Sequence, residues 1–179
     1  LKSDGCRLFG RFFIALIAQA ALQRAAIPED RRRATFVYID EAHEYFDDTI
    51  DELLNQARKF KVGLVLAHQN LEQLSERLRA TIMASTSIKI AGGVSARDAN
   101  TFAKEMRCEP EFVQSMHKQA NHSEFACWIK NATPQAVKLE VPLGVVNGLP
   151  KLNEHGYHQL IAANRARYGA PAGEGERVE

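Results

Sequence analysis

Two adjacent carboxylates, Asp40 and Glu41, stand where four apolar residues end in the stretch TFVYIDEAHEYF, residues 35–46. An apolar run this short, rich in β-branched and aromatic residues, reads as a buried strand. Acids at its tip emerge where a ligand can be met. The first acid is placed to contact, through water, a Mg2+ ion held between phosphates, and the second to orient and polarise an attacking water. This is the pattern of a Walker B segment. The same pair would also serve to cap a following helix, so it does not decide the chemistry alone. A second apolar run, VGLVLAHQN (62–70), ends in His68 and Gln69 and brings Gln69 to the same sheet edge. There its amide would sense a γ-phosphate or bond the attacking water. Arg58, ahead of that run, is a candidate arginine finger reaching a neighbouring subunit's nucleotide, or a helix-end cation favouring the dipole.

The elements needed to hold these residues follow from periodicity. Residues 7–26 read as a helix, apolar nearly all round and therefore buried. Ile50, Leu53, Leu54 and Ala57 follow the spacing of an amphipathic helix between the first two strands. Helix over 71–83, a third strand TSIKIAG (86–92), and helices over 95–106 and 109–118 come next. Apolar strands separated by helices imply right-handed crossovers and a mostly parallel sheet flanked by helices. The rhythm then changes: EFACWIKN and QAVKLEVPL flank a Pro-containing turn and read as a C-terminal antiparallel hairpin. The tripeptide Ala-Thr-Pro at 132–134 is that turn. A last helix begins beyond Asn153, which would cap it. In open parallel α/β sheets ligands bind beyond the carboxyl ends of the strands, the end that carries Asp40, Glu41 and Gln69.

Composition sets outer limits. A chain of 179 residues is long enough for one domain with a substantial core, and 23 basic against 22 acidic residues exclude a strongly polyanion-binding or acidic character for the whole chain. Locally the charge is uneven, with seven acids and no Lys or Arg over residues 40–56 and three arginines, Arg31, Arg32 and Arg33, just upstream in what reads as a solvated loop. Three scattered cysteines suggest neither a disulfide framework nor a zinc site and fit a reducing cytoplasm. The six histidines show no metal-ligand spacing. RFFIALIAQA (11–20) has the outline of a signal peptide, but its apolar stretch is short of the roughly 20 residues that span a bilayer, and it reads better as a core helix.

Taken together, FVYIDEAHEYF, IDELLNQARKFKVGLVLAHQNLEQL and SIKIAGGVSARDANTFAKEM resemble the second half of the motor domain in the HerA/FtsK superfamily, nearest the TraG/TraD-type coupling ATPases of type IV secretion and conjugation. The resemblance implies the C-terminal part of a RecA-like P-loop NTPase core over residues 1–168, followed by a flexible tail over 169–179. It further implies ATP and Mg2+ as cofactors, a homo-hexameric ring, and DNA or a DNA-protein complex as the cargo, moved with type IV secretion components as partners. Asp40 and Glu41 match the family's Walker B acids, Gln69 its sensor-like glutamine, and Arg58 its candidate trans-acting arginine. The implied location is the cytoplasm, at the inner-membrane face in a full-length protein anchored by a segment outside this chain.

One departure is large: no G-x-x-x-x-G-K-[ST] phosphate loop occurs in the 179 residues, and GGVSARD (92–98) lacks both the lysine and the spacing. With no initiating methionine, the sequence is expected to be a piece of a longer protein, inactive by itself. Two rival readings stand beside the motor. One is a non-catalytic interaction module or ATPase relic. The other is a DEAH-box helicase fragment, suggested by Asp40-Glu41-Ala42-His43, although such helicases follow the box with a Ser-Ala-Thr strand end where this chain has AHQN.

Overall fold

The computed structural model of the chain describes residues 2–46, 54 and 56–169. It divides into two compact units, residues 1–141 and 142–179. The first contains α1 (Lys2–Gln23), β1 (Thr35–Ile39), β2 (Val62–Leu66), α2 (Glu76–Ser85), β3 (Ile88–Ala91), α3 (Ala96–Met106), α4 (Pro110–Gln114), β4 (His122–Ile129) and β5 (Val137–Pro142, ending at the boundary). The second contains a 3-10 turn at Val145–Gly148 and α5 (Glu154–Tyr168), capped by Asn153, whose Oδ1 accepts the Gly156 N–H at 2.8 Å.

β1 and β2 pair in parallel, Thr35 opposite Val62 through Ile39 opposite Leu66. The pairing continues past the strand ends, where the Ala67 N–H donates to Ile39 and the Ala42 N–H to Ala67, both at 2.9 Å. A core forms around this pair from Ile39, Ala42, Val62, Leu71, Leu78 and Ile82. Among the described residues, α2 begins only at Glu76, because the Ser75 hydroxyl accepts the Leu78 N–H at 3.3 Å and starts a new helix. The single helix expected over 71–83 is thus a 3-10 turn at Leu71–Gln73 followed by α2. Of the amphipathic helix expected between β1 and β2, Ile50 and Leu53 lie outside the described residues.

The third strand behaves differently from expectation. β3 does not extend the parallel pair; it pairs antiparallel with β4, Ile88 opposite Ile129 through Ala91 opposite Ala126, in a separate sheet of order β3-β4-β5. The reason lies in its alternation. Lys89 and Ala91 point inward while Ile88 and Ile90 are exposed, a one-sided strand rather than one buried on both faces. Its own core comprises Ala99, Ala103 and Met106 of α3, at helical spacing, with Val113, Ala126 and Trp128. The antiparallel hairpin expected near the C-terminus is present as β4 and β5.

α1 also departs from the sequence reading. Of its described side chains only Ala21 is buried, with Ile14 and Ala18 half-buried against the first core, while Leu8, Phe9 and Phe12 are 58–71% exposed. Among the described residues, the first core packs against one edge of this helix. That edge is tied down: Arg7 is ion-paired with Glu44, and Gly10 leaves room for the Tyr45 ring, which a Cβ there would meet. The stretch Asp4–Ala26 is nevertheless, by length and composition, long and apolar enough to cross a membrane, contrary to the shorter span counted from the sequence.

Candidate functional site at the carboxyl end of the parallel strands

The parallel register sets Ile39 beside Leu66, so the residues that follow each strand emerge side by side. Glu41 takes a left-handed backbone, φ 48° and ψ 45°, uncommon for any residue but glycine and a local strain. Asp40 Oδ1 accepts the Glu41 N–H at 2.9 Å, which fixes one of the aspartate oxygens. Across the gap, Gln69 Nε2 donates to Glu41 Oε1 at 2.6 Å. His43 Nδ1 lies 3.5 Å from Glu41 Oε2 and is not hydrogen-bonded to it. The structure therefore brings Asp40, Glu41 and Gln69 together at one sheet edge.

The segment carrying Gln69 is anchored by a residue that the sequence reading passed over. Asp98, buried in the first turn of α3, accepts the Leu71 N–H on its Oδ2 at 3.2 Å. The Ser-x-x-Asp spacing of Ser95 and Asp98 signals a helix start, and the Ser95 hydroxyl does accept the Asp98 N–H. The carboxylate's reach to another segment is not legible from that spacing. His68 is half-buried beside these groups; burial first, and the neighbouring His43 second, hold its pKa below the usual value.

Arg58 is not brought to the acids of its own chain. It lies exposed on a 3-10 turn, Ala57–Phe60, ahead of β2, at the opposite end of that strand from Gln69. A five-residue strand at about 3.3 Å per residue separates the two ends by roughly 16 Å. Of the upstream arginines, Arg32 is structural: its guanidinium donates to the carbonyls of Ile27 at 2.8 Å and Lys59 at 2.6 Å.

Sequence spacing also missed a cluster built across the second sheet. Ligand atoms of His122, Glu124 and Glu140 lie within 4.8 Å of one another. A cation is already there, because Lys138 Nζ stands 2.5 Å from Glu124 and 3.1 Å from Glu140. Bonding by Lys138, ahead of all other causes, takes the Glu124 pKa down to about 2. The cluster is an ion-pair hub joining β4 to β5.

No protein-family model and no curated protein matches the chain. Its fold is found among solved structures. A bacterial conjugative coupling protein, TrwBdeltaN70 in an unbound monoclinic form, superposes with a TM-score of 0.52 at 16% identity, over 72% of this chain and 36% of that one. The genome packaging NTPase B204 from Sulfolobus turreted icosahedral virus 2, in complex with ATP-gammaS, gives 0.50 at 20% identity, over 78% of this chain and 62% of that one. The chain thus has the α/β fold of the RecA-like P-loop NTPases, and at the level of fold the likeness agrees with the resemblance to HerA/FtsK-type motor domains. The match spans about a third of the coupling protein and under two thirds of the packaging NTPase.

Proposed function

We infer that this chain is the Walker B portion of a DNA-translocating ATPase of the HerA/FtsK type, nearest the coupling ATPases of type IV secretion and conjugation. The observation that carries the reading is the 2.6 Å bond from Gln69 to Glu41 across the carboxyl ends of two adjacent parallel strands. A carboxylate held at one oxygen by a neutral amide keeps its other oxygen to align a water and take its proton. Gln69 then links the state of that carboxylate to whatever lies beyond β2. Asp40, exposed and all-oxygen in its chemistry, suits Mg2+ contacted through water. Bound Mg-ATP would supply the phosphoryl group and the charge neutralisation its transfer needs. The amides and lysine that cradle β- and γ-phosphates are not among the 179 residues, so they must come from outside them.

In this reading residues 1–168 are the later part of one motor domain, the working assembly is a homo-hexameric ring, and Arg58 faces the nucleotide of the next subunit. The cargo is DNA or a DNA-protein complex, moved in the cytoplasm at the inner-membrane face. The test is Mg-dependent ATP hydrolysis, with and without DNA, by the longest natural chain containing this segment. DNA-stimulated turnover is expected, falling about a hundredfold or more in Glu41→Gln while ATP binding persists. Turnover indifferent to Glu41 would overturn the reading and leave a non-catalytic interaction module.

A further inference from the structure

We propose that the cavity beside the β4–β5 turn is a binding site for a phosphate group. The cavity measures about 300 Å³ and is lined by Arg107, Trp128, Lys130, Asn131, Thr133 and Pro134. That volume is at the lower limit of ordinary ligand pockets, enough for a phosphate and the group that carries it. It shares no residue with the Asp40, Glu41 and Gln69 set, and the proposal does not depend on hydrolysis there.

Three features point to an anion with several acceptor oxygens. First, the two cations in the lining are uncommitted: among the described residues neither Arg107 nor Lys130 meets a carboxylate, whereas Arg7, Arg97 and Lys138 are all ion-paired. No acidic side chain lines the cavity. Second, Trp128 is only 6% exposed and its indole N–H has no acceptor, an imbalance that destabilises the fold when left in place. Third, the lining is built by two residues in the left-handed region, Arg107 (φ 59°) closing α3 and Asn131 (φ 64°) in the turn, and such backbone is retained where the surroundings hold it.

The guanidinium of Arg107 lies 5.7 Å from the Trp128 ring centroid, a cation-π seat that keeps the fork at the cavity without using its N–H donors on the protein. Guanidinium, ammonium and side-chain amide then form a set of donors from three separate side chains around the ring of Trp128. A planar carboxylate offers two oxygens to such a set. A phosphate offers three, pairs with arginine through two of them, and leaves the third for lysine or the amide. The indole N–H beside this set is closed to solvent and without a partner. A free phosphate monoester presents all three of these oxygens and a phosphodiester of a nucleic acid backbone two, and both are anions that Arg107 and Lys130 match.

Trp128 is the single tryptophan of the chain, so its indole N–H gives one resonance and its emission one signal. The 179-residue chain, labelled with nitrogen-15, is titrated separately with inorganic phosphate and with a single-stranded thymidine oligonucleotide. A saturable shift of the indole resonance is expected, with affinity about tenfold weaker in the doubly substituted Arg107→Ala, Lys130→Gln protein. Lys130→Gln alone, on an exposed turn, provides a variant with the fold intact, and a several-fold loss is expected there. A tighter response to the oligonucleotide, steeply reduced by salt, assigns the site to backbone phosphate; an equal response to both assigns it to the free group. No indole shift with either probe, or a shift the substitutions leave unchanged, overturns the proposal.

Discussion

In the proposed reading, Glu41 is the residue at which backbone, hydrogen bonding and chemistry meet. Its left-handed conformation turns the chain at the end of β1 and presents the carboxylate to Gln69. Gln69→Ala removes that contact without touching the acid, so in the longest natural chain turnover is expected to fall by about tenfold or more with nucleotide affinity unchanged, measured by steady-state hydrolysis and equilibrium binding. His68 gives a residue-scale test without nucleotide. Its folded pKa is lowered, chiefly by burial, so the unfolded chain takes up a proton near pH 6.5 that the folded chain resists. Stability should therefore drop as pH falls below about 6.5, and His68→Gln should flatten that part of the profile in urea melts between pH 7.5 and 5.5. The placement of the acid pair and Gln69 at one sheet edge was legible because Asp40 directly follows one apolar run and Gln69 comes two residues after another. Asp98 was not, since its carboxylate acts on an N–H 27 positions away.

Among elements, the short strands of the parallel pair and the hairpin were readable from composition, as was the Asn153 cap. β3 was misassigned because Ile88 and Ile90 resemble a buried run, when the informative residue was Lys89 between them, turned inward over Trp128 and 3.8 Å from Glu105. The break at Ser75 was hidden because Leu71, Leu74, Leu78 and Ile82 keep helical spacing across it. Asp98 joins α3 to the segment after β2, and Asp98→Ala orphans the Leu71 N–H. It is expected to cost about 1–3 kcal/mol in denaturant unfolding and, by loosening Gln69, to reduce turnover as well. Gly10→Val on α1 would drive a side chain into the Tyr45 ring, with an expected loss of about 1–3 kcal/mol. β4 and β5 are held by Glu124 and Lys138. Because the Glu124 pKa is lowered to about 2, its contribution is present above the ordinary carboxylate value and fades as pH falls from about 4.5 toward 2. Lys138→Met should erase that acid-sensitive step.

For the molecule as a whole, the exposed apolar surfaces carry the most information. Phe9 and Phe12 of α1, Phe36 and Tyr38 of β1, and Ile88 and Ile90 of β3 lie open on this chain. Periodicity predicted that α1 would be covered but says nothing of what covers it, which is why the helix was read as buried. The placement of Arg58 at the far end of β2 from Glu41 belongs to this scale too. If the arginine serves the neighbouring subunit, Arg58→Ala and Glu41→Gln proteins are each inactive in the longest natural chain, yet a mixture regains activity at interfaces that pair one intact acid with one intact arginine. Hydrolysis by the mixture, compared with each variant alone, decides it. Global stability also carries the mark of residue 41. A left-handed glutamate costs about 1–2 kcal/mol that asparagine or glycine would largely recover, worth roughly 2–4 °C of melting temperature in a chain of this size for each kcal/mol. A random library passed through heat or protease selection should accordingly enrich Asn and Gly at position 41, and the survivors would be the clones least able to turn over nucleotide.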